Sequence, residues 1–359
     1  LLTLCYSYYN ATLYHLDEYN SLDYLELLLL FLDHQLWVDQ DYGFEKVLVV
    51  ALDCALKSGL NRWEYYVNID ETLAERRRVA WWRLYEHEKM LAVKRGFLSG
   101  INDDKVNCLL PEPMRRVGFV DHEDFMKRIL THEYDPKVFQ DMSIGDLKFY
   151  GKCALAQILS DLYTNVMFNE KYTSIKNVAL PQSIREEYLD EIYEYCELTK
   201  LRMAHVKEQT SRLFEYARTS RPDDNAVPGD KVFEANEYVM LYTLYCALNL
   251  KSCTSLSSRL MNQPKTEMTK MKLHQYHKEI HLIFSETTKL LLTMETSYEM
   301  WRTFQLYCFT FMTACFNSND KYSFTTEDDI VGTLQLFNHV LVLSQSFNAF
   351  FMVDDSICQ

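Results

Sequence analysis

The sequence predicts an all-α protein, folded as a large irregular multi-helix domain. Its 359 residues include only 9 Gly and 7 Pro, against 25 Tyr and 20 Phe. Because Gly and Pro serve the tight turns that all-β folds and phosphate-binding loops need, a chain this poor in both is unsuited to a sandwich, a barrel or a dinucleotide-binding sheet. Long apolar runs at helical spacing, in a chain that is 48% hydrophobic, supply the buried faces of a helical core.

Two helices are predicted before residue 60. Residues 24–38 form the first, and Asn20 is placed to cap it. Residues 44–57 are apolar at helical spacing and form the second. This helix should end at Ser58-Gly59, because glycine readily adopts the left-handed conformation that closes a helix.

A third helix carries the most distinctive residues of the chain. Thr72 and Glu75 have the spacing of a capping box, so we expect the helix to begin beside them. It should run through the tryptophan pair Trp81-Trp82 and stop at Gly96.

The remainder divides into an irregular connection and a second set of helices. Residues 97–143 carry three of the seven prolines and are expected to form the connection, with short helices. We assign residues 1–143 to a motif-bearing helical part and residues 144–359 to a C-terminal helical part, with the clearest loop near 219–231. Helices in the second part are predicted at 144–169, 182–218, 232–250, 266–293, 298–316 and 327–351.

The charge and the cysteines limit the classes of function. The chain has 51 acidic and 37 basic residues, and its net charge is −14. Nucleic-acid affinity rests largely on Lys and Arg that neutralise phosphates, so we do not expect this chain to bind DNA by itself. The ten cysteines include no C-x-x-C pair, which predicts buried reduced thiols rather than a disulfide framework. No uncharged apolar run reaches the length of about 20 residues that a membrane span needs, so no membrane contact is expected.

Known enzyme motifs are absent from the sequence. There is no Gly-rich phosphate loop, no G-x-S-x-G and no H-E-x-x-H, so we expect no catalytic function. His274, His277 and His281 share one helix face and could ligate a metal. The charged residues around them favour a solvated polar face instead, with no cofactor in this chain.

The arginine triplet Arg76-Arg77-Arg78 is interpreted as structural rather than as an import signal or a phosphate site. Arg78 and Trp82 are one helical turn apart and are expected to stack as a cation–π pair. Arg77 shares the apolar face of the helix, so its head group should need a buried carboxylate such as Glu88.

Met and aromatic side chains in the last third of the chain are candidates for an apolar ligand pocket. Met adapts to varied ligands, and ligand pockets are mostly apolar. The alternative is an ordinary helix-bundle core. The candidate lining residues are Met294, Met300, Trp301, Phe304, Phe311, Met312, Phe347, Phe350 and Phe351.

One stretch of the chain carries a specific motif. It holds an arginine run, a tryptophan pair, an aromatic residue, a glycine turn, an acidic residue and a proline, at Arg76, Arg77, Arg78, Trp81, Trp82, Tyr85, Gly96, Asp103 and Pro111. This pattern resembles the signature of the regulatory, or middle homology, domain of fungal zinc-cluster transcription factors. Upstream, Gly59-Leu60-Asn61-Arg62 resembles the Gly-Leu-x-Arg element of that family, whereas Glu88-Lys89 stands where the family often has aspartate–arginine.

The resemblance implies the all-α fold of such a regulatory domain, in a transcription regulator of the nucleus. Because the chain begins at Leu1 rather than Met, we expect it to be part of a longer protein. In the family, DNA is read by a module of six closely spaced cysteines around zinc ions. Zinc and DNA contact are therefore expected only in that N-terminal module, outside this chain.

The resemblance also implies partners. The regulatory body is expected to act on transcriptional co-regulators, in several members in response to an apolar small molecule such as a fatty acid, a sterol or a xenobiotic. The full-length protein is expected to form a homo- or heterodimer. The alternative function is a structural protein-interaction scaffold of a DNA-bound assembly, such as a centromere-binding complex.

Overall fold

A computed structural model describes residues 22–38, 41–96, 98–219 and 229–260, together with 271, 272, 275, 276, 278, 279 and 282. Within these ranges the regular structure is helical and contains no strand, which confirms the all-α prediction. Among the described helices, none combines the length and the apolar composition that crossing a bilayer would require.

The first of two compact units ends at Ser160. Its helices are α1 (Leu22–Val38), α2 (Asp41–Lys57), α3 (Glu71–Arg95), α4 (Glu112–Arg116), α5 (His122–Arg128), α6 (Pro136–Asp141) and α7 (Ile144–Leu162), with the unit boundary in the last turn of α7. Helices α1, α2 and α3 pack against one another. The three short helices α4, α5 and α6 confirm the irregular connection predicted for residues 97–143.

Two glycines end the long helices as predicted. Gly59 follows α2 with a φ of +66°, and the ring of Tyr65 occupies the space that a Cβ at this position would need. Gly96 follows α3 with a φ of +69°, and its N–H donates to the carbonyl of Ala92 at 2.8 Å. Glycine adopts this left-handed conformation without the strain that a Cβ would add.

The start of α3 differs from the prediction. The N-cap is Asp70, whose carboxylate accepts hydrogen bonds from the N–H groups of Thr72 (2.9 Å) and Leu73 (3.3 Å). The capping box of Thr72 and Glu75 is therefore wrong. A carboxylate at the N-cap also complements the positive end of the helix dipole, which a threonine hydroxyl does not. Glu75 is bound elsewhere, and its carboxylate accepts a hydrogen bond from Arg115 at 2.6 Å.

The second unit begins at Asp161. Its described helices are α8 (Glu170–Thr173), α9 (Gln182–Gln209), α10 (Ser211–Thr219) and α11 (Gly229–Leu260). Helix α11 packs on α9 and on α10. The predicted division of the chain at residue 143 stays a prediction, which these units do not test.

Three helix boundaries in the second half differ from the prediction. The helix predicted to reach residue 169 is α-helical only to Leu162 and continues as a π-helical turn, Tyr163–Met167. The helix predicted at 182–218 is interrupted at Thr210, whose hydroxyl donates to the carbonyl of Val206 at 2.8 Å. Such back-bonding competes with the regular helical hydrogen bonds. The helix predicted at 232–250 is longer than predicted and runs from Gly229 to Leu260. Residues 220–228 of the predicted loop lie outside the described ranges.

The described cysteines are free thiols, as predicted. Five are buried, namely Cys54, Cys108, Cys153, Cys196 and Cys253, and Cys246 is partly buried. The other four cysteines lie outside the described residues.

Candidate functional site

The three arginines of the triplet each bind a different set of partners. Arg76 is exposed, and its Nε donates to Glu26 of α1 at 2.7 Å. Arg77 donates to the carbonyl of Ser58, just after α2, at 2.7 Å. The carboxylate partner predicted for Arg77 at Glu88 is therefore wrong, because a backbone carbonyl at a helix end supplies the acceptor instead.

Arg78 is the buried member of the triplet, with a side chain that is 5% exposed. It donates to Glu71 at 2.8 Å and to Glu75 at 3.0 Å, and its guanidinium lies 5.4 Å from the ring centre of Tyr66. The predicted stack on Trp82 is wrong, because the buried guanidinium pairs with the carboxylates of Glu71 and Glu75, which compensate its charge as an indole ring does not. Arg78 therefore reaches the first turn of α3 rather than the turn that follows it.

The tryptophan pair lies in the centre of the first unit. Trp81, Trp82 and Tyr85 are all 0% exposed. The indole N–H of Trp82 donates to the carbonyl of Leu109 at 3.0 Å, and its ring centre is 5.0 Å from that of Tyr85. This helix thus holds the segment that precedes α4 through a side chain as well as through packing.

The four residues that follow Tyr85 are all charged or titratable, and all are buried. Glu86, His87, Glu88 and Lys89 are between 0% and 4% exposed. Such a run needs a partner for each group, because an uncompensated buried charge is costly. The sequence analysis named Glu88 and Lys89 but not the run as a whole, although four such residues in succession on a helix place at least one on its buried face.

Glu86 and His87 find their partners on other helices. The carboxylate of Glu86 lies 3.3 Å from Lys152 of α7, and Nε2 of His87 lies 2.8 Å from Asp33 of α1. Burial alone would raise the pKa of Asp33. The hydrogen bond to His87 and the positive charges around Asp33 outweigh burial and hold that pKa well below its ordinary value.

Glu88 and Lys89 bind the segment that follows α3. Glu88 accepts hydrogen bonds from the Gly100 N–H (2.6 Å) and the Ser99 hydroxyl (2.8 Å). Burial raises the pKa of Glu88, against the opposing effects of Lys89 and these hydrogen bonds. Lys89 donates to the carbonyl of Ile101 at 2.7 Å and lies 3.1 Å from Asp103. The motif residue Asp103 is thereby linked to α3, and it also accepts a hydrogen bond from Ser160.

Asn61 joins the turn after α2 to the segment that follows α3. Its side-chain amide donates to the backbone carbonyl of Lys105 at 3.0 Å. Its backbone carbonyl accepts hydrogen bonds from the N–H groups of Asn107 (3.0 Å) and Cys108 (3.1 Å). Pro111 then provides the N-cap of α4. The structure therefore brings the motif residues at 59–62, 76–85 and 99–111 into one polar and aromatic core.

This core holds segments of the first unit together. The charged groups between Glu86 and Lys89 are engaged with other side chains and with backbone atoms, and they and the tryptophan pair are shielded from solvent. Among the described residues, no group of three or more His, Cys, Asp or Glu side chains could hold a metal ion. The candidate ligands His274, His277 and His281 lie outside the described residues, as do all nine candidate pocket residues from Met294 to Phe351.

Comparison with known proteins assigns the family. Residues 4–213 match the model of the fungal specific transcription factor domain, which is more than half of the chain. The chain is 36% identical over 342 residues to transcription factor PDR1 of Saccharomyces cerevisiae, which covers 95% of this chain and 32% of that protein. It is 35% identical over 308 residues to transcription factor PDR1 of Candida glabrata, covering 86% of this chain and 28% of that protein.

A more distant relative is transcription factor TOG1 of Saccharomyces cerevisiae, which is 27% identical over 180 residues, covering 50% of this chain and 22% of that protein. No solved structure is significantly similar to the chain. The chain spans about a third of the length of the relatives that it matches most fully. It belongs to the family of fungal specific transcription factor domains, and the relatives that it matches are transcription factors.

Proposed function

We propose that this chain is the regulatory body of a nuclear transcription factor, and that an apolar small molecule controls its activity. The observation that carries the proposal is the match to two PDR1 transcription factors over 95% and 86% of the chain. In this proposal DNA is contacted through a zinc-cluster module outside these 359 residues. The body itself holds no cofactor, acts on transcriptional co-regulators and works in a homo- or heterodimeric full-length protein.

The control would be a shift between two arrangements of the helices. A ligand changes such an equilibrium only by as much as it binds one arrangement better than the other. The candidate pocket is formed by the Met and aromatic residues between 294 and 351 that the sequence analysis selected. The acidic charge of the chain, −14, supports this division of roles, because it favours co-regulator contact over direct contact with DNA.

Thermal melting of the 359-residue chain with fatty acids, sterols and drug-like apolar compounds tests the proposal. A ligand at about 100 times its Kd stabilises a protein by about 2.7 kcal/mol, which raises the melting temperature by roughly 5 °C. Trp301→Ala should reduce this shift, whereas the control Leu201→Ala, at a position that is 60% exposed on α9, should leave it unchanged. Absence of a shift with every compound at saturation contradicts direct sensing by this chain.

One observation favours the alternative, a protein-interaction scaffold. Trp63, Tyr65 and Val67 are 54%, 54% and 52% exposed, on a turn whose backbone is fixed by a hydrogen bond from the Trp63 N–H to the side chain of Asn107 at 3.1 Å. Rigid exposed Trp and Tyr side chains are frequent at the centres of protein interfaces. If scaffolding is the function, Trp63→Ala with Tyr65→Ala should release co-regulators from the full-length factor, while no apolar compound shifts its melting temperature.

A further inference from the structure

Two cysteines meet across the packed pair α9 and α11 of the second unit. Cys196 lies on α9 and Cys253 on α11, and both are 0% exposed. Their sulfurs lie 3.8 Å and 3.9 Å from the same atom, Oδ1 of Asn249. A hydrogen bond to Cys196 and, second, burial raise the pKa of the Cys253 thiol well above its ordinary value.

The helix pair offers the separation that a disulfide needs. Packed helix axes lie about 8–10 Å apart, and Cα atoms lie about 2.3 Å from each axis, so facing Cα atoms come within roughly 3.5–5.5 Å of each other. Disulfides join Cα atoms that are about 4.4–6.8 Å apart. Two thiols that share one acceptor atom on such a helix pair therefore need only a small local adjustment to bond.

We propose that Cys196 and Cys253 are a redox modification site, at which a hydroperoxide such as hydrogen peroxide produces a reversible disulfide between α9 and α11. In the first step the sulfur of one cysteine attacks the peroxide, an S–O bond forms, the O–O bond breaks and one water leaves, which gives a sulfenic acid. In the second step the other sulfur attacks this sulfur, an S–S bond forms, the S–O bond of the sulfenic acid breaks, and the hydroxyl leaves as a second water with the proton of the attacking thiol. Two thiols lose two electrons in total, and one hydrogen peroxide becomes two waters.

Burial decides when this site reacts. A thiol with a raised pKa and no exposure is almost entirely protonated, and the thiolate is the nucleophile. The first step therefore requires a local opening of α11 away from α9, of the kind that folded proteins undergo transiently. The second step requires reclosure, because only the packed helices hold the two sulfurs together. The disulfide thus forms in molecules that have opened and closed again, and it then prevents further opening.

Oxidation at this site regulates the second unit covalently and does not depend on the binding of an effector. A disulfide stabilises mainly by restricting the unfolded chain, and the stretch between residues 196 and 253 is long enough for that effect to be large. Oxidation is therefore expected to fix one arrangement of α9 and α11, whatever occupies the candidate pocket.

The test uses the 359-residue chain, treated with hydrogen peroxide and then alkylated under denaturing conditions. Peptide mapping without reductant should find Cys196–Cys253 as the predominant disulfide, and dithiothreitol should remove it. The melting temperature should rise by roughly 5 °C on oxidation and return on reduction. Sub-denaturing urea should accelerate formation of the disulfide, because it increases opening. Cys196→Ser and Cys253→Ser should each abolish the shift, whereas Cys54→Ser, at a buried cysteine of the first unit, should retain it.

Three results would overturn the proposal. One is alkylation of both Cys196 and Cys253 after a peroxide treatment that oxidises other cysteines of the chain. A second is their conversion to separate sulfinic or sulfonic acids, or their pairing with other cysteines. The third is a disulfide that forms without raising the melting temperature, which would mean that the bond does not stabilise the packing of α11 on α9. Because the wild-type chain is compared before and after reduction, the test holds even if a serine variant fails to fold.

Discussion

Helix α3 is the longest described helix of the first unit, and α9 is the second longest described helix of the second unit, after α11. Both are rich in charged residues, but their charged side chains differ in burial. In α3 the run from Glu86 to Lys89 is at most 4% exposed, and each of its side chains has a partner outside the helix. In α9 the carboxylates of Glu187 and Glu194 lie on an exposed face. The number of charges on a helix therefore does not decide whether the helix is buried.

The difference follows from what surrounds each helix. The buried charges of α3 are satisfied by Asp33 and Lys152 on two other helices and by the segment that begins at Ser99, so one helix fixes three separate stretches of chain. The charges of α9 pair instead at partly exposed positions, where solvent screens them: Lys200, which is 31% exposed, lies 2.6 Å from Glu279 and 3.2 Å from Glu197. We therefore expect substitutions in α3 to cost far more stability than comparable substitutions in α9.

The largest effect is expected at the tryptophan pair. Trp82→Ala should lower the free energy of unfolding of the first unit by about 4 kcal/mol, because it empties a fully buried site and leaves the carbonyl of Leu109 without its donor. The control Leu201→Ala, at a position that is 60% exposed on α9, should change the stability of the second unit by no more than about 0.5 kcal/mol. Urea unfolding followed by circular dichroism measures both. Losses of similar size would remove the contrast between the two helices.

A slightly smaller effect is expected at Lys89. Lys89→Met should cost about 3 kcal/mol, because Asp103 then lacks its buried counter-charge. The loss should lie toward the lower end of the range for broken buried pairs, since the side chain of Asp103 is 14% exposed and gains some hydration. The matched control in α9 is Lys200→Met, whose side chain is 31% exposed and which should cost about 1 kcal/mol or less.

A double-mutant cycle separates charge from packing at this pair. Lys89→Met combined with Asp103→Asn should recover part of the loss, because the charge of Asp103 is then removed together with its counter-charge. The recovery should be partial, because Glu88, 4.0 Å from Lys89, also loses a counter-charge and keeps only its hydrogen bonds from Gly100 and Ser99. Additive losses in the double variant would show that Lys89 stabilises the core through its aliphatic stem rather than through Asp103.

The all-α class could be predicted from the low Gly and Pro content of the chain. The helix ends at Gly59 and Gly96 could be predicted because a left-handed glycine ends a helix through its own backbone conformation. The buried run from Glu86 to Lys89 could not, because its partners Asp33, Asp103 and Lys152 lie 12 or more residues away in sequence. The partner of Arg78 was predicted in the wrong direction, since spacing alone places Glu75 and Trp82 equally near, and the buried guanidinium pairs with the carboxylate. Local rules thus predicted the elements, whereas the contacts that build the motif core depend on tertiary structure.

The smallest effect, and the one that depends on pH, is expected at two carboxylates with equally exposed side chains. Asp33 and Glu191 are both 34% exposed. Asp33 pairs with His87, which is 1% exposed, and with Arg83, which is 29% exposed, whereas Glu191 pairs with Lys171 of α8, which is 41% exposed. Asp33→Asn should cost about 1–2 kcal/mol at pH 7, and Glu191→Gln about 0.5 kcal/mol, because solvent screens the outer pair.

Both losses should shrink in acid. The folded-state pKa values of Asp33 and Glu191 lie below their ordinary values, so the stability that each ionised group adds is fully present above its unfolded-state pKa of about 4 and disappears as the pH falls through the folded-state pKa. Urea unfolding of the wild type and of each variant between pH 7 and pH 3 should therefore show the curves converging below about pH 4. The gap should be wider for Asp33 than for Glu191 at every pH above that point. A gap for Asp33 that stayed constant down to pH 3 would mean that its ionised form is not what stabilises the junction of α1 with α3.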